Sequence, residues 1–130
     1  MIKGLILEIH LRIMTVENDS YFSIDLTENK IRYSWSLEEH SIFETDEYEF
    51  NISENDYMNL ISELKETEIK LLPEYINSQD GTAYELNIYN ECNSVTYLWW
   101  EEPPVGWEIL EKFAKELVRY FEKKKNQEQP

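Results

Sequence analysis

The sequence predicts an α+β domain, an antiparallel sheet of about six strands covered by two helices in the order β-β-β-β-α-β-β-α. Three observations carry this. Leu5, Leu7, Ile9, Leu11 and Ile13 alternate with Glu8, His10 and Arg12, the period of a half-buried strand. Leu110, Phe113, Ala114, Leu117 and Phe121 recur at helical spacing, and Ile109 and Val118 widen that stripe. Between them, in Thr82 to Trp107, two alternating runs meet at the polar turn Asn90 to Asn93 and then reach Pro103 and Pro104, which cannot extend a ladder.

After the first strand, Glu17 to Ser20 is a turn, and Phe22, Ile24 and Leu26 alternate with Ser23 and Asp25. A second turn, Thr27 to Lys30, leads to Ile31, Tyr33, Trp35 and Leu37 on alternate positions. Such short connections favour antiparallel neighbours, hence a meander. A looser acidic stretch precedes a fourth strand built on Tyr48, Phe50 and Ile52. Ser53 and Asp56 form a variant capping box, and Tyr57, Leu60, Ile61 and Leu64 then predict a helix over about 54–66. Ile69 to Leu72 reads as a helix exit or a short strand, and Pro73 to Gly81 as a loop.

The fifth strand alternates Tyr84, Leu86 and Ile88 with Glu85 and Asn87. In the sixth, Val95, Tyr97 and Trp99 share one face, but Leu98 and Trp100 make the other face apolar too. A neighbouring element is expected to cover that second face; the alternative is an exposed aromatic patch. The last helix opens near Trp107, with Glu108 and Glu111 early and Lys123, Lys124 and Lys125 late, both favourable to the helix dipole. Residues 126–130 are expected to fray. With no repeat or linker, residues 1–130 read as a single domain.

Composition narrows the function. Hydrophobic residues at 42% and aromatics at 14% supply enough apolar surface for a core. No apolar run approaches the ~20 residues of a membrane span, and Glu8, His10 and Arg12 interrupt the first segment, so neither a signal peptide nor membrane insertion is expected. A single Cys excludes an internal disulfide and fits a reducing, cytoplasmic setting. The net charge of −15 disfavours direct binding to nucleic acid. It is also uneven: from Glu38 to Glu68 eleven acids stand against Lys65 alone.

Catalytic signatures are missing. The two imidazoles, His10 on a polar strand face and His40 in an acidic run, have no partner motif, and Cys92 sits in a turn beside Glu91, which opposes thiolate formation. Zinc spacings and glycine-rich phosphate loops are absent, so no metal, no cofactor and no enzymatic activity are expected. Glu47 and Glu49 share a strand face and read more simply as a solubilising surface than as an acid–base pair.

The run SVTYLWWEEPPVGWEIL after YELNIYN, with a helix behind it, resembles a module of small, acidic bacterial proteins similar to immunity proteins of polymorphic or contact-dependent toxin systems. The resemblance spans Gly81 to Phe121. It implies a cytoplasmic antitoxin that binds a basic toxin domain, for instance a nuclease, and occludes its active site; it names no catalytic residue. The acidic segment supplies the expected partner-binding residues, Glu44, Asp46, Glu47, Tyr48, Glu49, Glu54 and Asp56, with Trp100 as a further anchor. A solvated face explains the same acids. A nucleic-acid mimic is a close variant, and a small-molecule-binding domain or unrecognised enzyme with a pocket lined by Trp35, Trp99 and Trp107 is the competing reading.

Overall fold

The computed structural model describes residues 7–15, 20–39, 42–66, 68–69 and 81–128, without the side chains of 37–39, 42–45, 65–66 and 128. Six strands and two helices follow in the expected order: β1 (Glu8–Thr15), β2 (Ser20–Leu26), β3 (Lys30–Glu39), β4 (Ile42–Asn51), α1 (Glu54–Glu66), β5 (Thr82–Tyr89), β6 (Ser94–Trp100) and α2 (Glu108–Glu128). The strands form one antiparallel sheet in the order β4-β3-β2-β1-β5-β6. The first four make a meander. β1 is then shared, with β2 on one side and β5, from the far end of the chain, on the other.

Register makes the two faces legible, because residues directly opposite in an antiparallel ladder point the same way. One row across the sheet reads Tyr48, Tyr33, Ile24, Leu11, Leu86, Tyr97, and the next Phe50, Ile31, Leu26, Ile9, Ile88, Val95. These rows face the helices. Leu110, Phe113, Ala114, Leu117 and Phe121 of α2 and Tyr57, Ile61 and Leu64 of α1 are buried against them in one core. Trp107 lies against Tyr97 and Trp99, whereas Phe121 lies on Tyr33, Tyr48 and Phe50, so α2 runs obliquely from β6 to β4.

The opposite face carries the row Glu47, Ser34, Ser23, Arg12, Glu85, Leu98 and the row Glu49, Arg32, Asp25, His10, Asn87, Thr96. No described element lies over it. The cover expected above Leu98 and Trp100 is therefore not found among the described residues: Leu98 is 52% exposed and Trp100 is partly buried.

Several boundaries differ from expectation. The acidic stretch before Tyr48 is not a loose connection, because β4 begins at Ile42 and pairs with β3 along its whole length. Pairing in the ladder outweighs the poor strand propensity of Glu and Asp. Helix α2 continues through Asn126 and Gln127 to Glu128, where fraying was expected, since Lys, Gln and Glu tolerate helix well and no Pro intervenes before residue 130. Residues 1–6, His40 and 70–80 lie outside the described part, and with them the start expected for the first strand, the loop from Pro73, and most of Ile69 to Leu72.

Helix α1 is tied at its N-terminal end. Ser53 Oγ accepts the Asp56 N–H at 3.1 Å, the expected cap, with Glu54 and Asp56 in the first turn. The buried Tyr57 hydroxyl donates to the Leu7 carbonyl at 2.6 Å and accepts the Leu7 N–H at 2.8 Å. That one oxygen satisfies both backbone groups of a residue at the mouth of β1. Tyr57→Phe is expected to cost about 1–3 kcal/mol, the penalty for leaving buried backbone groups unpaired, measured by chemical denaturation.

Candidate functional site

Strand β4 is a sheet edge, and the alternation of its side chains distributes the candidate residues over two surfaces. Asp46 falls opposite Trp35 on the helix-covered side, beyond the packed aromatic rings, and is exposed. Glu47, opposite Ser34, is exposed on the open side. Neither forms an ion pair among the described residues. Glu44 takes its place in the ladder opposite Leu37, and its side chain lies outside the described part.

Glu49 differs. Its Oε1 sits 3.2 Å from Lys30 Nζ and 3.5 Å from the Arg32 guanidinium, and the hydrogen bond from Lys30, followed by both positive charges, holds its carboxyl below the usual carboxylate range. Its charge is already matched within the fold. Beside it, Arg32, Tyr33, Ser34, Glu47, Tyr48 and Glu49 line a shallow concavity of about 450 Å³ on the outer two strands. Glu47 is its unmatched carboxylate.

Tyr48 is not a free aromatic anchor. Its ring lies 6.0 Å from Tyr33, 6.3 Å from Phe50 and 5.9 Å from Phe121, and Lys125 Nζ stands 4.8 Å from its centre. Burial first, then the charges of Asp46, Tyr48 and Glu122, pushes the neighbouring Tyr33 hydroxyl above the usual phenol range. The ring cluster belongs to the core, and the basic end of α2 reaches the acidic rim.

Glu54 is exposed at the start of α1, a few residues along the chain from β4. Asp56 is turned inward, accepting a hydrogen bond from Tyr120 at 2.9 Å across the two helices. Asp56 and Tyr120 help line an interhelical groove of about 330 Å³ with Asn59, Leu60, Glu116, Arg119 and Lys123. Burial, then the Asp56 hydrogen bond and charge, pushes the Tyr120 hydroxyl up to about 12 from an ordinary value of 10.0. A pKa raised in the folded state contributes stability in full below the unfolded value and loses it as pH rises through the folded one. Absorbance titration of the phenolates should therefore show a late step near pH 12 that disappears in Tyr120→Phe, with alkaline stability falling between about 10 and 12 in the parent chain.

Trp100 stands on the open face of β6, five strand spacings or roughly 24 Å from β4. Glu47 and Trp100 therefore stand at opposite margins of the same open face. The Trp-lined pocket, by contrast, is not assembled. Trp99 and Trp107 are 2% and 8% exposed, with Trp99 stacked on Tyr84 at 5.5 Å and Trp107 edge-on to Tyr97 at 5.2 Å, so that region is filled core. Trp35 lies on β3, with β2, β1 and β5 between it and Trp99.

Two further chemical candidates, His10 and Cys92, lie among the described residues. His10 is held between Asp25 at 2.6 Å and Glu8 at 3.2 Å, edge-on to Tyr89. Cys92 is exposed in a turn organised by Asn90, whose Oδ1 accepts the N–H groups of Cys92 and Asn93. Among the described residues no group of His, Cys, Asp or Glu is placed to hold a metal ion, and no helix is long and apolar enough to cross a membrane. Neither the protein-family models nor the curated proteins compared with this chain match it.

Lys30 and Arg32 are the functional neighbours missing from the sequence reading. Their even spacing on β3 was visible, but only the β3–β4 register sets them against Glu49. The cap at Ser53 was legible because it is local. The Tyr120–Asp56 contact joins residues 64 positions apart and left no local trace.

Proposed function

We propose that the chain is a protein-binding inhibitor of the immunity, or antitoxin, kind: it neutralises a basic toxin domain, for instance a nuclease, by covering the active site with its β4 edge. The observation that carries this reading is the placing of Asp46 and Glu47, both exposed and without an ion pair among the described residues, on opposite sides of one edge strand. A positively charged surface can approach that rim from either side. Complementary charge of this sort speeds encounter and excludes wrong partners more than it adds affinity. The concavity beside Glu47 gives that rim a recess in which a carboxylate is exposed, and the likeness of Gly81 to Phe121 to immunity proteins supports the same role.

The contact set is narrower than the sequence suggested. Asp46, Glu47 and Glu54 form its exposed part, Glu49 contributes through its pairing with Lys30 and Arg32, and Tyr48 and Asp56 support the fold behind it. In the cytoplasm such an inhibitor would protect the cell that makes it. The test is genetic: the C-terminal domain encoded in the neighbouring reading frame is expressed with and without this chain. Growth arrest that the chain relieves, and that Asp46→Lys with Glu47→Lys fails to relieve, is the expected result. Relief undiminished by the double variant would remove the β4 edge from the mechanism.

A further inference from the structure

The two edges of the sheet are chemically unlike. At β4 the described strand presents Asp46, Glu47 and Glu49, and charges of this kind discourage strand addition. At β6, Ser94 to Trp100 contains no charged residue at all, in a chain whose net charge is −15. Val95 is 43% exposed and Leu98 52% exposed. No described strand lies beside them.

Hydrogen bonds within the hairpin fix which backbone groups are left over. The Glu101 N–H donates to the Thr82 carbonyl at 2.7 Å, so Thr82 and Glu101 are a hydrogen-bonded pair. Antiparallel ladders alternate such pairs with open ones, which makes Tyr84 with Trp99, Leu86 with Tyr97, and Ile88 with Val95 hydrogen-bonded as well. The N–H and C=O groups of Ser94, Thr96, Leu98 and Trp100 therefore point away from β5, toward the open side of the strand.

We propose that β6 is a self-association edge, through which two copies of this chain pair antiparallel across a two-fold axis at Tyr97. This inference stands apart from the antitoxin reading. In that register Leu98 faces Thr96 of the second copy and Trp100 faces its Ser94, so each outward backbone group of the four residues gains a partner. Leu98 and Val95 lose exposure. Beyond the strand ends, Glu101 falls opposite Asn93 and Glu102 opposite Cys92, so no carboxylate meets another. A strand selected by charge finds nothing to read on β6, whereas a second copy supplies an identical uncharged edge.

Sedimentation velocity on the full chain tests this directly. A monomer–dimer equilibrium is expected, with the dimer fraction rising as sodium chloride is raised, because salt screens the repulsion between two acidic protomers. Leu98→Lys, which brings ammonium groups into the shared edge, should weaken the dimer by more than about tenfold. Thr96→Pro, which deletes an outward N–H, should do the same. Asp46→Lys with Glu47→Lys, at the far edge, should not weaken it. Amide exchange at Thr96 and Leu98 should slow with increasing protein concentration, while that at Asp46 and Glu47 stays constant. Should Thr96→Pro lose the wild-type circular dichroism, the exposed substitution Leu98→Lys decides. A chain that stays monomeric throughout, a dimer indifferent to Leu98→Lys, or a dimer that dissociates as salt rises would each overturn the proposal.

Discussion

Phe121→Ala is expected to lower the unfolding free energy by about 3–5 kcal/mol, the cost of emptying a large aromatic site in a packed core. Phe121 is 3% exposed and stacks on Tyr33 with ring centres 4.1 Å apart, while Tyr48 and Phe50 flank it at 5.9 Å each. Through it α2 packs on both outer strands. Denaturant titration should show a lower midpoint with an unchanged slope. Phe121→Leu, which keeps most of the volume, should cost distinctly less. A loss below about 1 kcal/mol in the alanine variant would mean that β3 and β4 are held by their ladder alone.

Asp46→Lys with Glu47→Lys is expected to slow association with the basic domain by about 10- to 100-fold at low ionic strength and to flatten its salt dependence. Both side chains are exposed and make no ion pair among the described residues, so the melting transition should be nearly unchanged. Stopped-flow association kinetics across a salt series, run beside a thermal melt, separate the two effects. Equal association rates for the parent and the double variant would show that encounter occurs elsewhere on the surface.

What was legible in the sequence was whatever depends on near neighbours. The period-2 run around Ile9, Leu11 and Ile13 and the stripe from Leu110 to Phe121 identify β1 and α2, because one buried face imposes its spacing on each. Ser53 and Asp56 announce the start of α1 for the same reason. The first half of β4 was misread, since its acids are compatible with a strand only once β3 is beside it. The candidate site suffered most. Alternation places Asp46 and Glu47 on opposite faces, which the spacing alone implies; the withdrawal of Glu49 into pairs with Lys30 and Arg32, of Asp56 toward Tyr120 and of Tyr48 into the core depends on contacts across strands and helices.

The position of β1 bears on how the chain is made. Its pairing with β5 joins Thr15 to Thr82 and Glu8 to Tyr89, so on the ribosome roughly seventy residues separate a strand from its second neighbour. At a translation rate of about 5–20 residues per second, β1 waits on the order of 4–15 s with that flank unmatched. During that interval Ile9, Leu11 and Ile13 have neither β5 alongside nor α2 above them. Slow synonymous codons between α1 and β5 would lengthen this vulnerable period, and protection by a nascent-chain chaperone would matter most there.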